Sequence, residues 1–133
     1  MEYKLEADSF FLLLRPEVYD SDIQYPNNTI MKVNLNSRGF SACTTMDIDI
    51  KEFKRFASAL NDVYEALHGS AAITEPYGKQ IIQFSADKTG HIMISGMLHN
   101  YGNDGGYQSL RFETSVDQTF LASFVKALKE ELH

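Results

Sequence analysis

Between Gly90 and Asp117 the chain alternates apolar and polar residues twice over, and that pattern confines the stretch to a β-hairpin. In the first arm Ile92, Ile94, Gly96 and Leu98 alternate with His91, Met93, Ser95, Met97 and His99. In the second, Gln108, Leu110, Phe112, Thr114 and Val116 alternate with Tyr107, Ser109, Arg111, Glu113 and Ser115. Successive side chains on a strand point to opposite faces, so each arm turns one row to a core and a more polar row elsewhere. The connecting loop, Asn100 to Gly106, is rich in Gly and Asn, which tolerate the positive φ that a long hairpin connection needs.

The remaining elements follow from changes of period. Tyr3 and Leu5 alternate with charged neighbours and lead into the apolar run Phe10–Leu14, which predicts a hairpin whose second strand is covered on both faces, with Pro16 marking a strand end or edge. A second hairpin runs from Ile30 to Asn36, turns at Ser37-Arg38-Gly39 and returns through Phe40 to Met46. Asp49 and Glu52 are spaced as a capping box, and Phe53, Phe56, Leu60, Val63 and Leu67 then recur at helical spacing up to a stop at Gly69. Strands at 70–74 and 80–86 come before the organising hairpin, and a second helix over 118–132 begins at an Asp117 cap. The order strands, helix, strands, helix predicts one α+β domain over residues 1–133, an antiparallel sheet with both helices on one face.

Charge and cysteine content narrow the function. Acidic residues outnumber basic ones by 18 to 12, for a net charge of −6, so the summed field repels nucleic acid and anionic membranes and favours a basic protein partner. A single cysteine, Cys43, permits no internal disulfide, and the N-terminal residues lack a signal-peptide pattern; the expected location is cytoplasmic. The polar segment around residues 19–28 gathers Glu17, Asp20 and Asp22, either as a solvated loop or as a contact patch for a cationic partner.

Motifs for chemistry are missing from the sequence. His91 and His99 share a strand face but stand about 26 Å apart at ~3.3 Å per residue, too far to share an ion. The Gly102–Gly106 stretch lacks the Lys-Ser/Thr ending of a phosphate loop, no nucleophile elbow is present, and nothing near Cys43 in sequence marks an activated thiolate. No catalytic residue, cofactor or metal ligand is assigned, and the oligomeric state stays open. The candidate partner-binding residues are Glu17, Asp20 and Asp22, with Tyr101, Asp104 and Tyr107 at the hairpin tip; the helix-free sheet face around Lys32, Asn34 and Met93 is the next surface to consider.

The order of several pieces carries a resemblance. They are Gly39-Phe40 before the first helix; Phe53, Phe56, Leu60 and Leu67 ending at Gly69; Gly90-His91-Ile92; Leu110-Arg111-Phe112-Glu113; and Asp117-Gln118-Thr119-Phe120-Leu121. In that order the chain resembles the WapI type of bacterial immunity protein, which protects a cell from the toxic domain of a contact-delivered polymorphic toxin. The resemblance implies a non-enzymatic protein that binds a cognate, nuclease-like toxin domain through its surface, an activity that an acidic protein would assist by steering. The alternative is a small-ligand-binding or regulatory α+β module.

Overall fold

The computed structural model describes residues 1–19, 27–101 and 104–132. Its elements are β1 (Tyr3–Ala7), β2 (Phe10–Val18), β3 (Thr29–Ser37), β4 (Phe40–Ile48), α1 (Ile50–Ala66), β5 (Ser70–Thr74), β6 (Ile81–Ala86), β7 (His91–Tyr101), β8 (Tyr107–Asp117), a 3₁₀ turn (Gln118–Leu121) and α2 (Ala122–Glu131). The class is α+β, and every strand pairing is antiparallel. The strands divide between two four-stranded meanders, β1-β2-β3-β4 and β5-β6-β7-β8, with α1 as the link between them.

The inner rows of both sheets and the apolar stripes of both helices form one cluster that includes Phe53, Leu60, Phe112 and Leu128. An aromatic chain threads it. Tyr3 meets Phe53 edge-on at 5.5 Å, Phe53 stacks with Phe56 at 6.2 Å, Phe56 lies 5.6 Å from Phe84, and Phe84 stacks with Phe124 at 6.1 Å. These contacts tie β1, α1, β6 and α2 together, in offset and edge geometries that suit the ring quadrupole.

Local chemistry sets the element ends. Asp49 caps α1 by accepting from the Lys51 N–H at 2.8 Å, but Glu52 does not close a capping box; its carboxylate pairs with Arg55 on the next turn. The helix stops before Gly69, because Leu67 already takes a left-handed conformation with φ 51 and its N–H returns to Val63 O. Gly69, at φ 92, then turns the chain into β5. Asp117 accepts from the Thr119 N–H at 2.9 Å and its hydroxyl at 2.8 Å, which hold this carboxyl below its ordinary value and start the turn before α2.

The run Phe10–Leu14 is not covered on both faces. Phe10, Leu12 and Leu14 are buried, whereas Phe11 and Leu13 are half-buried. Among the described residues no layer covers the outer face of the first sheet, and its apolar residues are shielded sideways: Lys4 and Asn34 flank Leu13, and Glu6 and Asn36 flank Phe11. Pro16 does not end β2, which continues to Val18 and pairs there with β3; it lies past the last β1 pairing, Tyr3 with Leu14, where β2 is an edge and the missing N–H costs no bond.

Tyr3 gives the fold a pH signature. Burial, and then the hydrogen bond and charge of Glu131, push its phenol up to about 12. A raised folded-state value means that the neutral phenol stabilises the fold in full below the ordinary value of 10.0, and that this contribution is lost as pH rises through about 12. Denaturant midpoints measured across that window should fall more steeply for the wild type than for Tyr3→Phe; parallel curves would show that the phenol does not couple to folding.

Candidate functional site

The β7–β8 hairpin reaches further than its neighbours. β6 pairs with β7 only as far as Ile81 opposite Met97, while β7 and β8 continue in register to Tyr101 opposite Tyr107. The overhang would leave the backbone of residues 98–101 without a neighbour on the β6 side. It is met by β4, which lies across the ends of the second sheet's strands. Thr44 Oγ1 donates to His99 O at 2.8 Å, and Asn100 Nδ2 donates to Cys43 O at 3.0 Å. Further along β4, Gln80 Nε2 donates to Thr45 O at 2.8 Å, and the Asp47 N–H donates to Glu75 Oε2 at 2.7 Å.

This seam is made mainly of side chain to backbone bonds, and Thr44, Glu75 and Gln80 in it are buried. Glu75 and Gln80 are under a tenth exposed and bonded to each other at 3.2 Å; Gln80 Oε1 also accepts the His99 N–H at 3.1 Å. The His99 ring donates through Nε2 to Gly78 O. No buried side-chain polar atom of the seam is left without a partner, as buried polar groups must not be if they are not to cost stability. The consequence is a projecting hairpin held rigidly at its root.

Three rings stand on the outer face of that hairpin. His99 lies 5.6 Å from Tyr101 and 5.8 Å from Tyr107, and the two tyrosines are 5.0 Å apart. Tyr101 is 69% exposed and Tyr107 51%. Asp104, exposed beside them, accepts the Gly106 N–H at 2.9 Å and so shapes the turn as well as charging it. On the opposite face a cleft of about 520 Å³ opens between the sheets, lined by Phe40, Ala42 and Thr44 on one side and Leu98, Asn100 and Leu110 on the other.

The sequence-based candidates therefore separate. Tyr101, Asp104 and Tyr107 come together at the tip. Glu17 sits elsewhere, near the end of β2, opposite Ile30, which in turn faces Asp47; Cys43, beside the hairpin, lies two strands over and four residues along from it, roughly 16 Å by strand spacing and rise. Its carboxylate is engaged by Lys32 Nζ at 2.9 Å and by the Tyr19 hydroxyl at 3.1 Å, and these bonds, Lys32 first, hold it below its ordinary value. Asp20 and Asp22 fall outside the described residues. His99, expected to be structural or solvated and not a metal ligand, joins the tip; the signal in the sequence is its place two residues before Tyr101, on the same strand face.

Among the described residues, no group of three or more His, Cys, Asp or Glu side chains could hold a metal, and no helix is long and apolar enough to cross a membrane. Against known families, the model of the immunity protein WapI-like family matches residues 5–133. The chain belongs to that family. No curated protein matches it. The match spans both meanders and both helices, and the tip, the seam and the cleft lie within the matched residues. Membership supports the role of an immunity protein, with a toxin as the protein partner, in a family that is generally non-enzymatic.

Proposed function

We propose that this protein neutralises its toxin noncovalently, by seating the β7–β8 tip against a nuclease-like toxin domain whose basic surface its net charge of −6 attracts. The observation that supports this reading is the tip itself: Tyr101 and Tyr107 expose large aromatic surface on a hairpin whose root is fixed by the Glu75–Gln80 seam. Rigid, exposed tyrosines lose little entropy on docking and carry a hydrogen-bonding end, the qualities of an interface anchor. Asp104 adds charge at the same place. Asp20 and Asp22 contribute to long-range steering, while Glu17 contributes less because Lys32 neutralises it locally.

Binding kinetics against a cognate toxin domain test the proposal. Tyr101→Ala should speed dissociation by about tenfold or more with little change in association. Asp20→Lys with Asp22→Lys should slow association, most strongly at low salt. Wild-type rates for both variants would place the interface elsewhere. The inter-sheet cleft favours a second reading, a small-ligand-binding module, since its volume lies in the range of ligand pockets. Co-expression separates the two: rescue of growth from the toxin domain by the wild type, lost with Tyr101→Ala, supports the first.

A further inference from the structure

The two sheets present four edges, and three of them are blunted. β1 and β5 are five residues long, and β1 carries Lys4 and Glu6. β4 has its edge groups taken by side chains, with Cys43 O, Thr45 O and the Asp47 N–H bonded to Asn100, Gln80 and Glu75. β8 differs. It is 11 residues long, contains no Pro, Gly or Lys, and pairs with β7 without a bulge from Asp117 to Tyr107. Among the described residues no backbone or side-chain bond reaches its outer side. Long, flat and uncapped edges are what natural sheets avoid unless another strand completes them.

We infer that the β8 edge is completed by β8 of a second copy of this chain, paired antiparallel about a two-fold axis at Phe112. The charges select the partner and the register. Arg111 and Glu113 are exposed on the same outer face and make no ion pair among the described residues. With Phe112 on the axis, Arg111 of each copy stands opposite Glu113 of the other, giving two reciprocal ion pairs. A shift to the neighbouring symmetric registers sets Arg111 against Arg111, or Glu113 against Glu113, and like charges directly opposite are destabilising. Registers with an odd offset place the outer row against the core row, which the half-buried sheet forbids. Among the registers that keep the outer rows opposed, only the one centred on Phe112 both pairs Arg111 with Glu113 and overlaps all 11 residues of the strand. Backbone bonds along the ladder supply the affinity, the charges supply the choice, and the result is a continuous eight-stranded sheet with isologous symmetry. The tyrosine tips then lie at opposite ends of the joined strands, so the inference stands apart from the toxin-binding proposal.

Mass measured by light scattering or sedimentation equilibrium over a wide concentration range tests it. The wild type should pass from monomer to dimer as concentration rises, with amides of β8 gaining protection from hydrogen exchange in step. Arg111→Glu and Glu113→Arg should each remain monomeric alone, with unchanged thermal melts because both positions are solvent-facing. Mixed in equal amounts they should form a heterodimer, and the double swap R111E/E113R should dimerise as the wild type does. A wild type that stays monomeric throughout overturns the inference and leaves the edge to a strand of another protein; a dimer that survives both single charge reversals overturns it as well.

Discussion

Phe84→Ala is expected to lower the free energy of unfolding by about 3–5 kcal/mol, the range for truncating a fully buried aromatic residue. The side chain has no exposed surface and sits between Phe56 of α1 and Phe124 of α2, at 5.6 and 6.1 Å. Its loss opens a cavity where one strand and both helices meet, and it removes two ring contacts that add to the burial term. Three elements must move to refill the space, so relaxation will recover little of the loss. A domain of this size is stable by only about 5–15 kcal/mol, so the variant should melt some 10–20 °C lower or fail to accumulate. Phe120→Ala serves as the comparison, since that ring is 37% exposed and lies outside the aromatic chain; it should shift stability by less than about 1 kcal/mol. A denaturation midpoint for Phe84→Ala within that small range would show that α1 and α2 do not converge on β6.

The elements were legible because their periods differ sharply, and the places where reading failed share a cause. Alternation at 91–99 and 107–116 located β7 and β8, although Asn100 and Tyr101, read as loop, extend β7 and Asp117 extends β8, and helical spacing from Phe53 to Val63 located α1. Periodicity reports which face of an element is apolar; it says nothing of what lies against that face. Phe11 and Leu13 therefore read as core residues although only neighbouring side chains shelter them. In the same way two meanders separated by a helix are equally compatible with one sheet or two, and the answer lies in residues that alternation cannot rank. Thr44, Glu75 and Gln80 look like ordinary polar residues near strand ends, yet they carry the bonds that set β4 across the second sheet. The tip tyrosines were legible as candidates because a loop between strands is where recognition residues can be exposed at low cost. Their contact with His99 was not, since a row of side chains shows its neighbours only once register is fixed.

Gly78→Ala and Glu75→Ala should each destabilise the protein, and together they should cost barely more than either alone. Glu75 accepts the Asp47 N–H through Oε2 and the Gln80 amide through Oε1, in a buried position. Truncating it removes the acceptor of the part-buried Asp47 N–H and of the buried Gln80 amide, a loss of about 1–3 kcal/mol. Gly78 acts on the same carboxylate from the other side. A Cβ placed there would lie 1.4 Å from Glu75 Oε1 and 2.3 Å from its Cδ, and Gly78 is not among the glycines in the left-handed region, so the obstacle is the carboxylate and not the backbone. Alanine at 78 must therefore expel the Glu75 side chain and break the same bonds. Once Glu75 has been cut back to alanine, the space is free and the methyl group should enter without penalty. The expected coupling in a double-mutant cycle equals nearly the whole of one single effect, about 1–3 kcal/mol. Hydrogen exchange gives a local readout, because Gln80 bonds the His99 N–H and the His99 ring bonds Gly78 O. Either substitution should speed exchange at His99 and loosen the root of the tyrosine tip before the fold as a whole gives way. Simple additivity of the two substitutions would mean that Glu75 and Gly78 stabilise the seam through separate contacts, and unchanged exchange at His99 would mean that the hairpin is held by β4 alone.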